Sequence, residues 1–181
     1  ELKDKNLNIK ISAVFGLGIA AAGTHNQRLM DALLEVIQDF SYGFELSAFI
    51  SLALGLIFIG SSNDEVFNEL FSILISRNDG GKGQIFESPY FVLYTLGIGL
   101  LCLGKQKDNE FMIETMISME DFSKDMKDYL KTMLISFSYA GSGNVSKVQE
   151  LMQIIAKSSE EINPKVQSIA VIGCSLIAIV E

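Results

Sequence analysis

The chain has 181 residues, enough for one domain with a core of its own. Fourteen Lys and Arg against 22 Asp and Glu give a net charge of −8, which disfavours nucleic acid and anionic membranes and favours a basic protein partner. Two cysteines are too few for a disulfide framework and point to a reducing compartment, two prolines permit long helices, and 15 glycines need an explanation.

The chain opens on Glu1-Leu-Lys-Asp-Lys-Asn, which has no apolar core behind a basic start, so no signal peptide is expected. It lacks an initiator Met and stops just after the apolar run Ile169–Val180, as a piece cut from a longer protein would. An apolar helix is expected from about Asn8 through Ala22, buried on every face, with small residues about two per turn that let neighbouring helices approach. Gly23 ends it. Thr24 and Gln27 fit a capping box for a second helix, whose stripe is Leu29, Leu33, Val36 and Ile37 and whose wet face carries Arg28, Asp31 and Glu35.

The same sentence follows again. Phe44–Ile59 reads as a buried helix closed by Gly60, with Ser62 and Glu65 as the next capping box and Val66, Leu70, Ile73 and Leu74 as the next stripe. Arg77–Gly83 reads as a flexible loop. Ser88-Pro89 starts a third buried helix running to Leu103, and its partner carries Phe111, Met112, Thr115, Met116 and Met119. Glu120–Lys124 links to a fourth pair, Lys124–Ala140 and Asn144–Lys157, and Ser158–Pro164 links to a fifth buried helix, Lys165–Val180, without a partner.

Aligned on Gly23, Gly60, Gly104, Gly141 and Val180, the copies are spaced by 37, 44, 37 and 39 residues. Five residues before each anchor stand Gly18, Gly55, Gly99, Ser136 and Ser175; seven before stand Gly16, Ala53, Gly97, Leu134 and Gly173. Three after it, Asn recurs at 26, 63 and 144. The expectation is an all-α solenoid of antiparallel helix pairs in one domain over 1–181, with copies at about 8–39, 44–77, 88–119 and 124–157 and a half copy at 165–181. The fifth helix then has one open face, which predicts self-association of the isolated chain there.

No chemistry emerges beside this repetition. Gly16-x-Gly18-x-x-Ala21 imitates a dinucleotide fingerprint, but it lies within a helix, follows no strand and recurs in register as Gly97-x-Gly99. Gly80-Gly-Lys-Gly83 lacks the phosphate-loop spacing. His25, the only histidine, sits in a turn without metal-ligand spacing, and no nucleophile–base set can be assembled. No cofactor, metal or enzymatic activity is expected. The apolar segments are shorter than the ~20 residues of a membrane span.

Ala53-Leu-Gly-Leu-Ile-Phe-Ile-Gly60, Gly16–Gly23 and Thr95–Gly104 resemble the buried helix of the proteasome/cyclosome repeat. Tyr139–Val145 with Lys147–Leu151, and Ile169–Ala178, are similar to the large non-ATPase base subunits of the proteasome regulatory particle. The resemblance covers essentially the whole chain. It implies part of a toroid of helix pairs, a cytoplasmic and nuclear non-enzymatic scaffold beside the base ATPase subunits, and recognition of ubiquitin or of the ubiquitin-like domains of shuttle factors. It places ubiquitin recognition on the outer helix after Gly60, with Glu65, Glu69, Ser72 and Ser76 as candidate contacts. The family's acidic positions fall on Glu65, Ser72 and Ser76, and only Glu65 keeps the charge; a further acidic position falls near Ser41, beside Asp39. The alternative is a repeat scaffold without ubiquitin contact, as in the sister proteasome scaffold or the cyclosome subunit.

Overall fold

A computed structural model describes residues 6–78, 84–106, 110–118, 122–158 and 160–179. Most of the Arg77–Gly83 loop, Met119, the first two residues of the 120–124 link and Val180 lie outside the described residues. The described residues form helices and turns, with no strand among them.

The helices are α1 (Leu7–Ala20), α2 (Gln27–Ile37), α3 (Phe44–Ile57), α4 (Asp64–Arg77), the single turn α5 (Gln84–Glu87), α6 (Tyr90–Leu101), α7 (Glu110–Ser118), α8 (Lys124–Ser138), α9 (Val145–Ile155) and α10 (Pro164–Ala178). α1, α3, α6, α8 and α10 pack side by side in that sequence, while α2, α7 and α9 each pack on the helix that follows, α3, α8 and α10, and α4 touches both α3 and α6. Together they make an α-solenoid whose core runs through all the pairs, from Val14 to Ile177.

Close backbone approach explains the small residues. A Cβ on Gly18 would lie 2.7 Å from the Cα of Ala53, one on Gly55 would lie 2.3 Å from the carbonyl oxygen of Gly97, and one on Gly173 would lie 2.7 Å from the Cβ of Ser136. At these three junctions the residue five before one anchor thus sits on the residue seven before the next, whereas Gly99 faces the Met133 and Phe137 side chains. The glycines cost helix propensity, about 1 kcal/mol each relative to Ala, and the interhelical contact offsets it.

A second device joins the repeats. Gly23, Gly60, Gly104 and Gly141 all have φ between 61° and 73°, and the residue two further on is also left-handed: His25 at 51°, Ser62 at 50°, Gln106 at 47° and Gly143 at 62°. Two left-handed residues turn the chain into a hook that points its amides at the neighbouring repeat. Gly23 and His25 donate to the carbonyls of Leu56 and Ile57 at 2.9 and 3.1 Å; Gly60 and Ser62 donate to Leu100 and Leu101 at 2.9 Å each; Gly141 and Gly143 donate to Leu176 and Ile177 at 2.9 Å each. Gly104 donates to Phe137 at 3.0 Å. The acceptors are carbonyls at the C-terminal ends of α3, α6, α8 and α10, groups that a helix leaves without an internal partner. They stand four and three residues before each anchor, so Leu176 and Ile177 fix position 180 as the fifth anchor.

Two expectations are corrected. The hydroxyls of Thr24 and Ser62 do not cap α2 and α4. The recurring asparagines do: Asn26 Oδ1 accepts from the amides of Arg28 and Leu29, and Asn63 Oδ1 from Val66 at 2.9 Å; Asn144 Oδ1 does the same for α9, from Lys147 at 3.1 Å. The residue just before each of these asparagines, His25 or Ser62, is a left-handed position of the hook, so the cap falls on Asn26, two residues after Thr24, and on Asn63, one after Ser62. Thr24 Oγ1 instead donates back to the Ala21 carbonyl at 2.7 Å. The second correction concerns α1, which is not buried all round. Its only neighbour among the side-by-side helices is α3, so Val14 and Gly18 are covered while Phe15 and Ile19 remain 41% and 56% exposed. The α2 stripe is also shifted, with Met30, Leu33, Leu34 and Ile37 buried and Leu29 and Val36 half-buried.

Candidate functional site

The outer helix α4 is where the sequence reading places binding. Its inner face buries Val66, Phe67, Leu70, Phe71, Ile73 and Leu74. A buried hydroxyl pins it: Tyr94 Oη of α6 donates to the Leu70 carbonyl at 2.6 Å, and Ser51 Oγ of α3 donates to the Tyr94 carbonyl at 2.7 Å. Burial drives the Tyr94 phenol far above its ordinary range, so it serves only as a neutral hydrogen-bond donor. These contacts fix the rotation of α4 and hence what it shows to solvent.

What it shows is one stripe. Glu65, Ser72 and Ser76 are exposed and Glu69 is half-exposed, and with Asp64 and Asn68 they line the face opposite the core. The four candidate residues therefore share one accessible surface. Ser76 Oγ donates to the Ser72 carbonyl at 2.9 Å, a bond within the helix. Asn68, at the centre of the stripe, was missed because an amide in an outer helix carries no chemical signature in sequence.

The face continues onto α2. Gln38 Nε2 donates to Glu69 Oε2 at 3.4 Å across the two helices, and Asp31, Glu35 and Asp39 are exposed on the α2 side. The hydroxyl and amide of Ser41 hold the Asp39 carboxyl below its usual range, so this carboxylate stays ionised; the Ser41 amide reaches it at 2.9 Å. Arg77 closes the far end: Nη1 donates to the Tyr42 carbonyl at 3.0 Å, and the guanidinium lies 4.6 Å from the centre of the Phe40 ring. Six carboxylates (Asp31, Glu35, Asp39, Asp64, Glu65, Glu69) thus belong to one two-helix surface, suited to a basic partner.

Among the described residues, no group of three His, Cys, Asp or Glu could hold a metal ion. His25 is part of the hook, stacked on Phe58 at 5.7 Å. A groove of ≈ 240 Å³, lined by α8, α9 and residues near the 158–163 link, holds charges of both signs, with Lys131 and Glu150 paired at 3.6 Å. No helix among the described residues is long and apolar enough to cross a membrane.

Comparison with known proteins accords with the geometry. The proteasome/cyclosome repeat model matches residues 12–41, which run from α1 through α2. The 26S proteasome non-ATPase regulatory subunit 2 of Dictyostelium discoideum is 37% identical over 99% of this chain and 19% of its own length. The 26S proteasome regulatory subunit rpn-1 of Neurospora crassa is 32% identical over 100% of this chain and 20% of its own. The 26S proteasome regulatory subunit RPN2 of Candida glabrata is 24% identical over 87% of this chain and 16% of its own. The chain therefore spans about a fifth of the length of the first two of these relatives.

Proposed function

The chain is built of proteasome/cyclosome repeats, and on that premise we propose that it is a non-enzymatic scaffold and docking segment of the 26S proteasome regulatory particle, in the cytoplasm and nucleus. In this reading the buried helices form part of a toroid beside the base ATPase subunits. The outer face of α4, extended by α2, contacts ubiquitin or the ubiquitin-like domain of a shuttle factor. The observation that carries the docking role is the single exposed stripe of Glu65, Glu69, Ser72 and Ser76, joined by the Gln38–Glu69 bond to the carboxylates of α2. Ubiquitin's binding surface is basic around an apolar patch, and this face offers it carboxylates.

One observation favours the alternative, a scaffold without ubiquitin contact: Ser72 and Ser76 are exposed and uncharged where the family has acids. An NMR titration of labelled monoubiquitin with the chain separates the two. The docking reading expects shifts on ubiquitin that weaken with salt. Glu65→Arg removes one exposed attraction and adds a repulsion, together about 1 kcal/mol, so affinity should drop roughly fivefold. No shift at millimolar chain, or shifts indifferent to both salt and Glu65→Arg, would remove ubiquitin binding from this face.

A further inference from the structure

Solenoid copies ordinarily touch only their immediate neighbours. One contact in this chain skips a copy. Gly60 and Gly104 are 44 residues apart, where the other anchors are 37 or 39 apart. The turn α5 falls in that longer stretch and has no counterpart between the other pairs among the described residues. It seats the buried Phe86 in a triangle of rings. The Phe86 ring lies 5.2 Å from Phe91 of α6 and 6.0 Å from Tyr129 of α8, and those two rings are 5.3 Å apart. From α10, on the far side of α8, Lys165 reaches back to the same turn. Its Nζ donates to the Phe86 carbonyl at 2.6 Å, stands 4.6 Å from the centre of the Phe86 ring and pairs with Glu87 at 3.2 Å. Residues 86 and 165 are 79 apart in sequence. The Lys165 amide is itself held by its helix cap, Asn163 Oδ1, at 3.0 Å, and Asn163 Nδ2 donates to Asp125 Oδ2 of α8 at 3.2 Å. The N-terminal ends of α6, α8 and α10 are thus gathered together, while the hooks at Gly104 and Gly141 join their C-terminal ends.

We infer that α5 is a strap that locks the inner helices α6, α8 and α10 into one cooperative block, with Lys165 as its clasp. A hook ties one copy to the next at one end only. The strap ties the opposite ends, and it does so across three copies. α10 cannot swing away from α8 without also leaving α5, which runs on into α6. The curvature of this block is thereby fixed, and its copies open together. The bond to the Phe86 carbonyl carries most of the clasp, because it is charge-assisted and part-buried. The Glu87 side chain is 73% exposed, so its ion pair adds little.

Native-state hydrogen exchange tests the clasp, with the folding of each variant checked by circular dichroism. Lys165→Met keeps an apolar stem and removes the charge. Exchange should then speed roughly tenfold, the worth of one charge-assisted hydrogen bond, in the amides of α10. It should speed by the same factor at Ser88 and Phe91, whose amides bond to carbonyls of the α5–α6 turn. The α3 amides should keep the wild-type rate. Glu87→Gln should change little. Phe86→Leu keeps the turn apolar and removes the ring beneath Nζ, so it should speed exchange in α10 as well. In the Lys165→Met background the same change should add nothing at α10, because the ring reaches α10 through Lys165. Lys165→Met that leaves Ser88 and Phe91 unchanged, or that speeds the whole chain uniformly, would overturn the block. A Phe86→Leu effect on α10 that persists without Lys165 would overturn the clasp.

Discussion

Gly16 and Gly55 both lie within buried-type helices, seven and five residues before their anchors, and alanine should act on them with opposite sign. At Gly55 a Cβ would lie 2.3 Å from the carbonyl oxygen and 2.7 Å from the Cα of Gly97. Both are backbone atoms and cannot rotate away, so α3 and α6 must move apart by roughly an ångström to restore ordinary contact. Overpacking of this kind costs roughly 2–3 kcal/mol, against about 1 kcal/mol gained from helix propensity. The net is about 1–2 kcal/mol of destabilisation, or a Tm lower by roughly 2–8 °C for a chain of this size. At Gly16 the new methyl meets nothing within 4 Å, so only the propensity gain of about 1 kcal/mol remains. Urea denaturation measures both; unchanged m-values would show that the midpoint shifts report stability. Two variants shifted in the same direction would refute close backbone packing as the reason for the small residues.

Three further outcomes are expected. Asn63→Ala should destabilise the chain by about 1 kcal/mol through loss of the α4 cap, while Thr24→Ala, outside any cap, should cost less, as thermal melts can show. Burial pushes the Cys102 thiol up to about 12 from 9.0, so at pH 8 it should react with a disulfide reagent only when the chain opens, after the half-buried Cys174; because the folded value is the raised one, its contribution to stability is complete below pH 9 and is lost as pH rises from 9 towards 12. Ser72→Asp with Ser76→Asp should tighten ubiquitin binding by roughly fivefold in the same titration, since each added carboxylate contributes about 0.5 kcal/mol on an exposed face.

Glycine was the legible residue of this fold. A left-handed turn and a close helix approach both demand the missing Cβ, so Gly23, Gly60, Gly104 and Gly141 marked the joints and Gly18, Gly55 and Gly97 the contacts directly in the sequence. The second left-handed position of each hook was not legible, because His25, Ser62 and Gln106 hold it with ordinary side chains. That hidden residue moved the helix starts by one or two residues and turned the expected Ser and Thr caps into Asn caps. The apolar sequence of α1 told of contact but not of how many neighbours are present, so its open face was invisible until α3 proved to be its only neighbour among the side-by-side helices. On the outer face of α4, the resemblance supplied Glu65, Glu69, Ser72 and Ser76, and the structure shows that they share one side of the helix. Its continuation onto α2 depends on Gln38 meeting Glu69, 31 residues apart, which no local pattern encodes.

The joining of repeat to repeat by turn amides is tested most directly by native-state hydrogen exchange at Gly23, His25, Gly60, Ser62, Gly141 and Gly143. These residues lie in turns between helices, where amides ordinarily exchange within the local opening of a loop. Because each donates to a carbonyl of the neighbouring repeat at 2.9–3.1 Å, their protection should match that of the buried helix amides and fall only with global unfolding. Exchange at the rate of a solvent-exposed, unbonded amide would contradict it, and leave the repeats held by side-chain packing alone.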